Sequence, residues 1–216
     1  HLSPDQRHVA YTLSDAGSEW TQVRVRRLAD DVDLPEVMDD MLWFEPAWTH
    51  DGEGFFYVRS RRPAPGEHTM FHSPAVLYHR VGTPTAEDRL IHATDAGTRH
   101  LALRVQLTPD GRHALVTEGE GAWVAKIGWT NNRRWLIDLG DARRPDLSGK
   151  PVPLTSDRRS AYELVGQHDG RLYFLTDRDA PRRRLVAVDP AAPGAAGWRD
   201  VIPQSGAVLD WVTEVH

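Results

Sequence analysis

The sequence contains no cysteine. Disulfides, thiolate nucleophiles and cysteine-ligated zinc are therefore excluded. No apolar run approaches the roughly 18 residues that a membrane-spanning helix needs, so no membrane partner is expected. An excess of positive charge is missing as well. Lys and Arg number 26 against 31 Asp and Glu, a net charge of −5, and the arginines are dispersed among the acids. Nucleic-acid binding usually needs a basic face, and none is expected here. Helical periodicity is also lacking: the segment from Asp33 to Asp40 could form one turn, but Pro35 and its dense acids oppose anything longer. The start, His1-Leu2-Ser3-Pro4-Asp5, has no methionine, basic region or apolar region of a secretory signal. It reads as a chain cut out of something longer, and with no cysteine the expected location is the cytoplasm. What remains is an ordinary globular composition, 40% hydrophobic and 26% charged over 216 residues, enough for one domain with its own core.

One phrase recurs: an apolar strand ends in a polar turn and a second strand begins at once. It appears at Leu2-Ser3-Pro4-Asp5-Gln6-Arg7, at Trp48-Thr49-His50-Asp51-Gly52, at Leu107-Thr108-Pro109-Asp110-Gly111-Arg112 and at Gln167-His168-Asp169-Gly170-Arg171. The four aspartates are 46, 59 and 59 positions apart, and a period of roughly 40 to 60 residues is the size of a four-stranded propeller blade. Asp-Gly suits a tight turn because glycine takes positive φ without steric cost, and the aspartate caps its own turn through the side chain. Gln6 stands where the other copies have glycine, which predicts a different or slightly strained turn.

Alternating strands follow each turn. Val9, Tyr11 and Leu13, Phe55-Phe56-Tyr57-Val58, Ala114-Leu115-Val116 and Leu172-Tyr173-Phe174-Leu175 occupy one place in the repeat. Third strands follow at Val23–Arg26, Val76–Arg80, Trp135–Asp138 and Leu185–Val188, and weaker fourth strands near Leu90–His92, Val152–Leu154 and Val201-Ile202. Period-2 alternation predicts strands with one face buried, and short polar outer strands protect sheet edges. Val208–Val212 reads as the first strand of a further blade. The expected fold is therefore an all-β propeller of four-stranded antiparallel blades. It would comprise roughly four repeats beginning and ending one strand out of phase, with residues 1–216 a partial propeller domain.

Three stretches carry more than this generic pattern. They are Ser14-Asp15-Ala16-Gly17-Ser18-Glu19-Trp20, Ala47-Trp48-Thr49-His50-Asp51-Gly52-Glu53-Gly54-Phe55-Phe56-Tyr57, and Tyr78-His79-Arg80-Val81-Gly82-Thr83-Pro84 with Glu87-Asp88. Phe174–Pro181 and Trp198–Pro203 add to them, in order along nearly the whole chain. Together they resemble the propeller domain of prolyl oligopeptidases. The resemblance implies a seven-bladed propeller covering the active site of an α/β-hydrolase domain that bears a Ser-Asp-His triad. It implies cleavage of short proline-containing peptides after proline, with this chain supplying about four of the blades and lacking the hydrolase domain.

No catalytic residue is expected within the chain. A nucleophile elbow, Gly-x-Ser-x-Gly, is absent, and Ser14, Ser18, Ser73, Ser156, Ser160 and Ser205 all sit beside turn residues, where serine caps turns. Glu67, His68, His72 and His79 are close in sequence, but the segment reads as a loop entering a strand and not a helix face. No metal or other cofactor is expected. His50 and His168 read as structural parts of the recurrent turn. Trp43 is the candidate site residue. By its distance before Trp48, the resemblance places it at an aromatic wall of the substrate pocket, where the family usually has Phe. An ordinary core aromatic at the start of a blade is the other reading. Ala122 matches a second pocket position, but from Gly119 to Asn132 the chain is longer than the family pattern, and that loop either lines the cavity or covers a blade edge with Trp123 and Trp129. The clusters Arg24/Arg26/Arg27, Arg59/Arg61/Arg62 and Arg182-Arg183-Arg184 read as a solvated face, or as a site for a peptide carboxylate. A free-standing propeller that binds a peptide or protein partner is the alternative function. A glycosidase or lactonase propeller ranks lower, because no paired carboxylates can be located.

Overall fold

The computed structural model describes residues 1–67, 72–94, 101–120, 131–155 and 158–213. Four antiparallel sheets follow one another along the chain. Sheet 1 holds β1 (His8–Ser14), β2 (Trp20–Arg27) and β3 (Val32–Leu42) in that order. Residues 1–3 run along β1 through an isolated bridge from Leu2 to Val9. Sheet 2 is β4 (Ala47–Trp48), β5 (Gly54–Arg59), β6 (Ala75–Arg80) and β7 (Arg89–Ala93), in sequence order. Sheet 3 begins with β8 (Leu101–Leu107), β9 (His113–Glu120) and β10 (Asn132–Asp138). The chain then makes a small hairpin, β11 (Gly140–Asp141) with β12 (Arg144–Pro145), and returns as the outer strand β13 (Val152–Pro153). Sheet 4 is β14 (Tyr162–His168), β15 (Arg171–Thr176), β16 (Arg184–Val188) and β17 (Arg199–Ile202). The up-and-down order and the exposed outer strands are those of propeller blades.

The sheets stack face to face, and three apolar seams join them. Between sheets 1 and 2 lie Ala10, Val23, Val25, Met38 and Met41 against Trp48, Phe55 and Tyr57. Between sheets 2 and 3, Phe56, Val76 and Tyr78 meet Leu103, Val105, Val116 and Trp135. Between sheets 3 and 4, Leu115, Leu136 and Leu154 meet Leu172, Phe174 and Val186. Consecutive residues thus serve opposite seams: Phe55 and Tyr57 face sheet 1, while Phe56 faces sheet 3. The expectation of one buried face per strand is corrected by this stacking. Sheets 2 and 3 are covered on both sides, which is why their central strands read as near-continuous apolar runs.

In β1 the buried residue is Ala10. Leu13 is exposed, and Val9 and Tyr11 are only partly covered. The segment Asp33–Asp40 is strand and not a helical turn. Asp33 takes a bidentate ion pair from Arg26 on β2 and a hydrogen bond from Tyr11 on β1, so its partners lie across a sheet. Pro35 is tolerated because β3 is an edge strand. Val208–Val212 forms no strand; among the described residues it pairs with none. It runs beside the loop before β16, where the Leu209 amide donates to the Arg182 carbonyl and Arg183 reaches the Asp210 carbonyl.

The recurrent turn has a geometry that the repeat only hinted at. In the first and third copies the hydroxyl of Ser3 or Thr108 donates to the carboxylate of Asp5 or Asp110, at 2.6 and 2.7 Å. In the first three, the aspartate accepts the amide two residues on: Arg7, Glu53 and Arg112. Gln6 takes the left-handed conformation that Gly52 and Gly111 take in the other copies, with φ 59. The fourth copy differs, since both Asp169 and Gly170 have positive φ in a two-residue hairpin turn.

These turns also touch one another. A Cβ on Gly52 would collide with the Asp5 carboxylate, and one on Gly111 with the His50 ring. Asp110 exchanges two hydrogen bonds with Gln167 of sheet 4, its amide donating at 3.1 Å and its carboxylate accepting at 2.8 Å. The turns therefore wedge each sheet against the next. Gly111→Ala and Gly170→Ala separate this wedge from backbone strain. Both glycines have φ near +70°, but the space around Gly170 is open. Each substitution should cost about 1 kcal/mol for positive φ, and Gly111→Ala at least about 1 kcal/mol more. Urea denaturation of the two variants measures the difference.

Candidate functional site

β3 ends at Leu42 and β4 begins at Ala47, so the chain crosses from sheet 1 to sheet 2 in four residues, Trp43 to Pro46. Successive side chains in this crossing take different sides. Phe44 is 7% exposed and packs edge-on against Phe55 at 5.8 Å between ring centroids. Trp43 is 45% exposed and has φ +49, the left-handed region that a bulky residue rarely adopts. The core aromatic at this blade start is therefore Phe44, and Trp43 is turned outward.

Trp43 borders a cavity of about 380 Å³ between sheets 2 and 3. Leu42, Phe44, Val58, Leu103 and Val105 make most of its wall apolar. β8, which supplies Leu103 and Val105, contacts β4, β5 and β6 of the neighbouring sheet. Three polar groups interrupt the lining: Ser60, and the ion pair of Arg104 Nε with Glu45 Oε2 at 3.2 Å. Next to the cavity, Glu118 on β9 is registered opposite Leu103. Its buried carboxylate accepts from Arg133 at 3.2 Å and from Arg158. An apolar cavity rimmed by a few polar groups has the make-up of a ligand-binding recess.

Of the expected site residues, Trp43 lies on this cavity. Ala122, Trp123 and Trp129 lie outside the described residues, as do His68 and Ser156. His72 and His79 do not converge. His72 stands by Arg61 and Glu67, while His79 is buried with Asp88 and Glu36. Among the described residues no group of three His, Cys, Asp or Glu side chains could hold a metal ion. Ser14 donates to the Ser18 carbonyl and Ser205 to that of Ala207, both turn contacts. The arginine clusters hold strands and loops: Arg26 pairs with Asp33, Arg27 with Asp30, Arg61 with Glu67, and Arg184 with Asp200. Glu45, Ser60, Arg104 and Glu118 were not singled out in the sequence. The available signal was an acid following closely on an apolar run, Ala114-Leu115-Val116-Thr117-Glu118.

Comparison with known proteins bears on this arrangement. The family model described as prolyl oligopeptidase, N-terminal beta-propeller domain, matches residues 1–215. The chain is similar to prolyl oligopeptidase A of Galerina marginata, 28% identical over 231 residues that cover 97% of the chain and 30% of the relative. It is also similar to prolyl endopeptidase of Elizabethkingia meningoseptica, 28% identical with 94% and 27% covered. A solved structure from a study of two prolyl endopeptidases superposes with TM-score 0.77 at 24% identity, covering 95% of this chain and 28% of that one. The apo structure of prolyl oligopeptidase B from Galerina marginata superposes with TM-score 0.71 at 21% identity, covering 95% and 28%. The chain spans less than a third of the length of these relatives.

The division between Trp43 and Phe44 is directly measurable. Phe44→Ala should lower unfolding stability by about 3–5 kcal/mol, the usual cost of a truncated core aromatic. Trp43→Ala should change it by less than about 1 kcal/mol. Equal losses in thermal or urea unfolding would return Trp43 to the core.

Proposed function

Because this chain belongs to the prolyl oligopeptidase family, matching its N-terminal β-propeller domain, we propose that it forms the substrate-access part of a serine-type peptidase that cleaves short peptides after proline. Residues 1–216 act as one partial propeller domain, roughly four blades of seven. The nucleophile, its histidine base and the oxyanion hole come from an α/β-hydrolase domain that this chain does not contain. The chain alone is inactive, and the whole protein works in the cytoplasm. The blades limit access to short peptides, and the cavity beside Trp43 receives one apolar side chain of the substrate.

The observation that carries this reading is an outward-turned tryptophan on an apolar cavity where two sheets meet. Covering an apolar side chain there is worth about 1–3 kcal/mol. Spent on holding the peptide in register, that energy places the scissile bond without any chemistry from the propeller. The Arg104–Glu45 pair at the rim gives the peptide backbone polar partners. Trp43 replaces the usual Phe, so the wall is larger and carries an indole N–H.

Two measurements test this on the chain as it stands. Titration with a short proline-containing peptide should shift the Trp43 indole resonance in an NMR spectrum and leave the remaining indoles in place. A Trp43→Ala variant should bind at least about tenfold more weakly, the loss expected for roughly 1.4 kcal/mol of contact. A chromogenic proline peptide should show no turnover sensitive to a serine-directed inhibitor. Peptide binding indifferent to Trp43, or such turnover, would each contradict the proposal.

A further inference from the structure

The seam between sheets 1 and 2 contains ionisable side chains that the cavity does not use. His79, on β6, is wholly buried. Its Nδ1 stands 2.7 Å from Asp88 Oδ1 within sheet 2, and the other oxygen of Asp88 accepts the Tyr57 hydroxyl at 2.6 Å. The opposite ring nitrogen, Nε2, faces Glu36 of β3 across the seam, 3.7 Å from Oε1. That separation suits an ion pair but is too long for a hydrogen bond. Among the described residues neither His79 Nε2 nor Glu36 Oε2 has a hydrogen-bond partner. Glu36 Oε1 accepts instead from the Gly82 amide at 2.8 Å, a second link across the same seam. The side chains of Glu36, His79 and Asp88 are all about 1% exposed or less.

The two halves of this arrangement respond differently to a proton. The Asp88 half is a short hydrogen bond, satisfied whenever Nδ1 carries its hydrogen. The Glu36 half has no hydrogen bond and depends on charge alone. A neutral ring that donates from Nδ1 turns the Nε2 lone pair toward a carboxylate, acceptor against acceptor. A proton at Nε2 turns the same contact into cation against anion in a place that water does not screen. We propose that His79 is a proton-controlled clamp: charged, it draws Glu36 and holds β3 of sheet 1 against sheet 2, and neutral, it releases that half of the seam while its bond to Asp88 persists.

The charged and titratable groups facing the ring are Asp88 and Tyr57 from sheet 2 and Glu36 from sheet 1. Among the described residues no lysine or arginine pairs with Glu36, His79 or Asp88. Arg59 acts on Tyr57. Burial by itself lowers the His79 pKa, but the Asp88 and Glu36 carboxylates outweigh it, and the net direction is upward from 6.5. Burial likewise pushes the Glu36 carboxyl up, while His79 and the Gly82 amide pull it down, with a net lowering. A raised imidazole pKa contributes stability that is complete below about 6.5 and is lost as pH rises through the folded-state value. A lowered carboxyl pKa contributes stability that is present above its ordinary value and is lost as pH falls through the folded one. The clamp therefore holds across mildly acidic pH and opens on the alkaline side.

The test uses the wild-type chain and a Glu36→Gln variant. The His79 ring is titrated by nitrogen-edited NMR, and exchange of the Gly82 amide is followed from pH 6 to pH 9 with the intrinsic base dependence removed. The clamp predicts a His79 midpoint above 6.5 that falls in Glu36→Gln. It also predicts Gly82 protection that drops about tenfold more over that range than protection of the β9 amides, the equivalent of one unit of pKa shift. A wild-type midpoint at or below 6.5, a midpoint unmoved by Glu36→Gln, or Gly82 protection parallel to β9 would overturn it. If Glu36→Gln does not fold, the wild-type midpoint and the Gly82 comparison decide between the same outcomes.

Discussion

Each sheet of this chain must press its flat apolar face onto the next, and the turn at the start of the second strand limits how closely it can do so. Asp5 rests against Gly52, His50 against Gly111, and Asp110 is bonded twice to Gln167. A side chain at either glycine would occupy the space of a neighbour's polar group. Close approach and positive φ thus coincide at the same two residues. In the first and third turns the hydroxyl and carboxylate hold the shape of the turn before it meets its neighbour. The carboxyl of Asp5 is brought down to about 2, where the hydrogen bonds from Ser3 and Arg7 overcome the effect of burial. Such a carboxylate supports the fold above its ordinary range and is lost only in strong acid.

The rest follows from that contact. Sheets held at a fixed spacing bury both faces of sheets 2 and 3. Their apolar side chains then divide by parity between the two seams. The seams are not alike. Sheets 3 and 4 meet through leucines and valines around Phe174 and Tyr162, and through the Asp110–Gln167 exchange. Sheets 2 and 3 leave a cavity open beside Trp43. Sheets 1 and 2 add a buried charge group to their aromatic contact. A stack built this way can leave one apolar recess open and still keep its neighbouring seams closed.

Much of this was legible in the sequence. The Asp-Gly turns and the strand places could be read from spacing and from resemblance, whereas for Trp43 the sequence left a pocket wall and a core aromatic both open. The failures share one cause, which is that the deciding partner lay elsewhere in the chain. Acids and Pro35 in Asp33–Asp40 suggested a turn because Arg26 and Tyr11, which hold Asp33 in a strand, are not adjacent to it. Val208–Val212 has the composition of a strand, but a strand needs a neighbour, and it finds only the loop at Arg182. His79 read as one residue of a third strand, since neither Glu36 nor Asp88 could be tied to it by periodicity. The cavity rim at Glu45 and Arg104 joins two sheets, and no local pattern pairs residues that far apart.

The wedge between turns is tested most directly by a double-mutant cycle on Asp110 and Gln167, with stabilities of Asp110→Ala, Gln167→Ala and the pair measured by urea denaturation. The cycle removes the contacts that Asp110 makes inside its own turn and leaves the energy that crosses the seam. The one hydrogen bond that needs both side chains, from Gln167 Nε2 to the Asp110 carboxylate, predicts a coupling of about 1–3 kcal/mol. Losses that add with no coupling would mean that the turns only close their own hairpins and that the apolar faces alone set the spacing of the sheets.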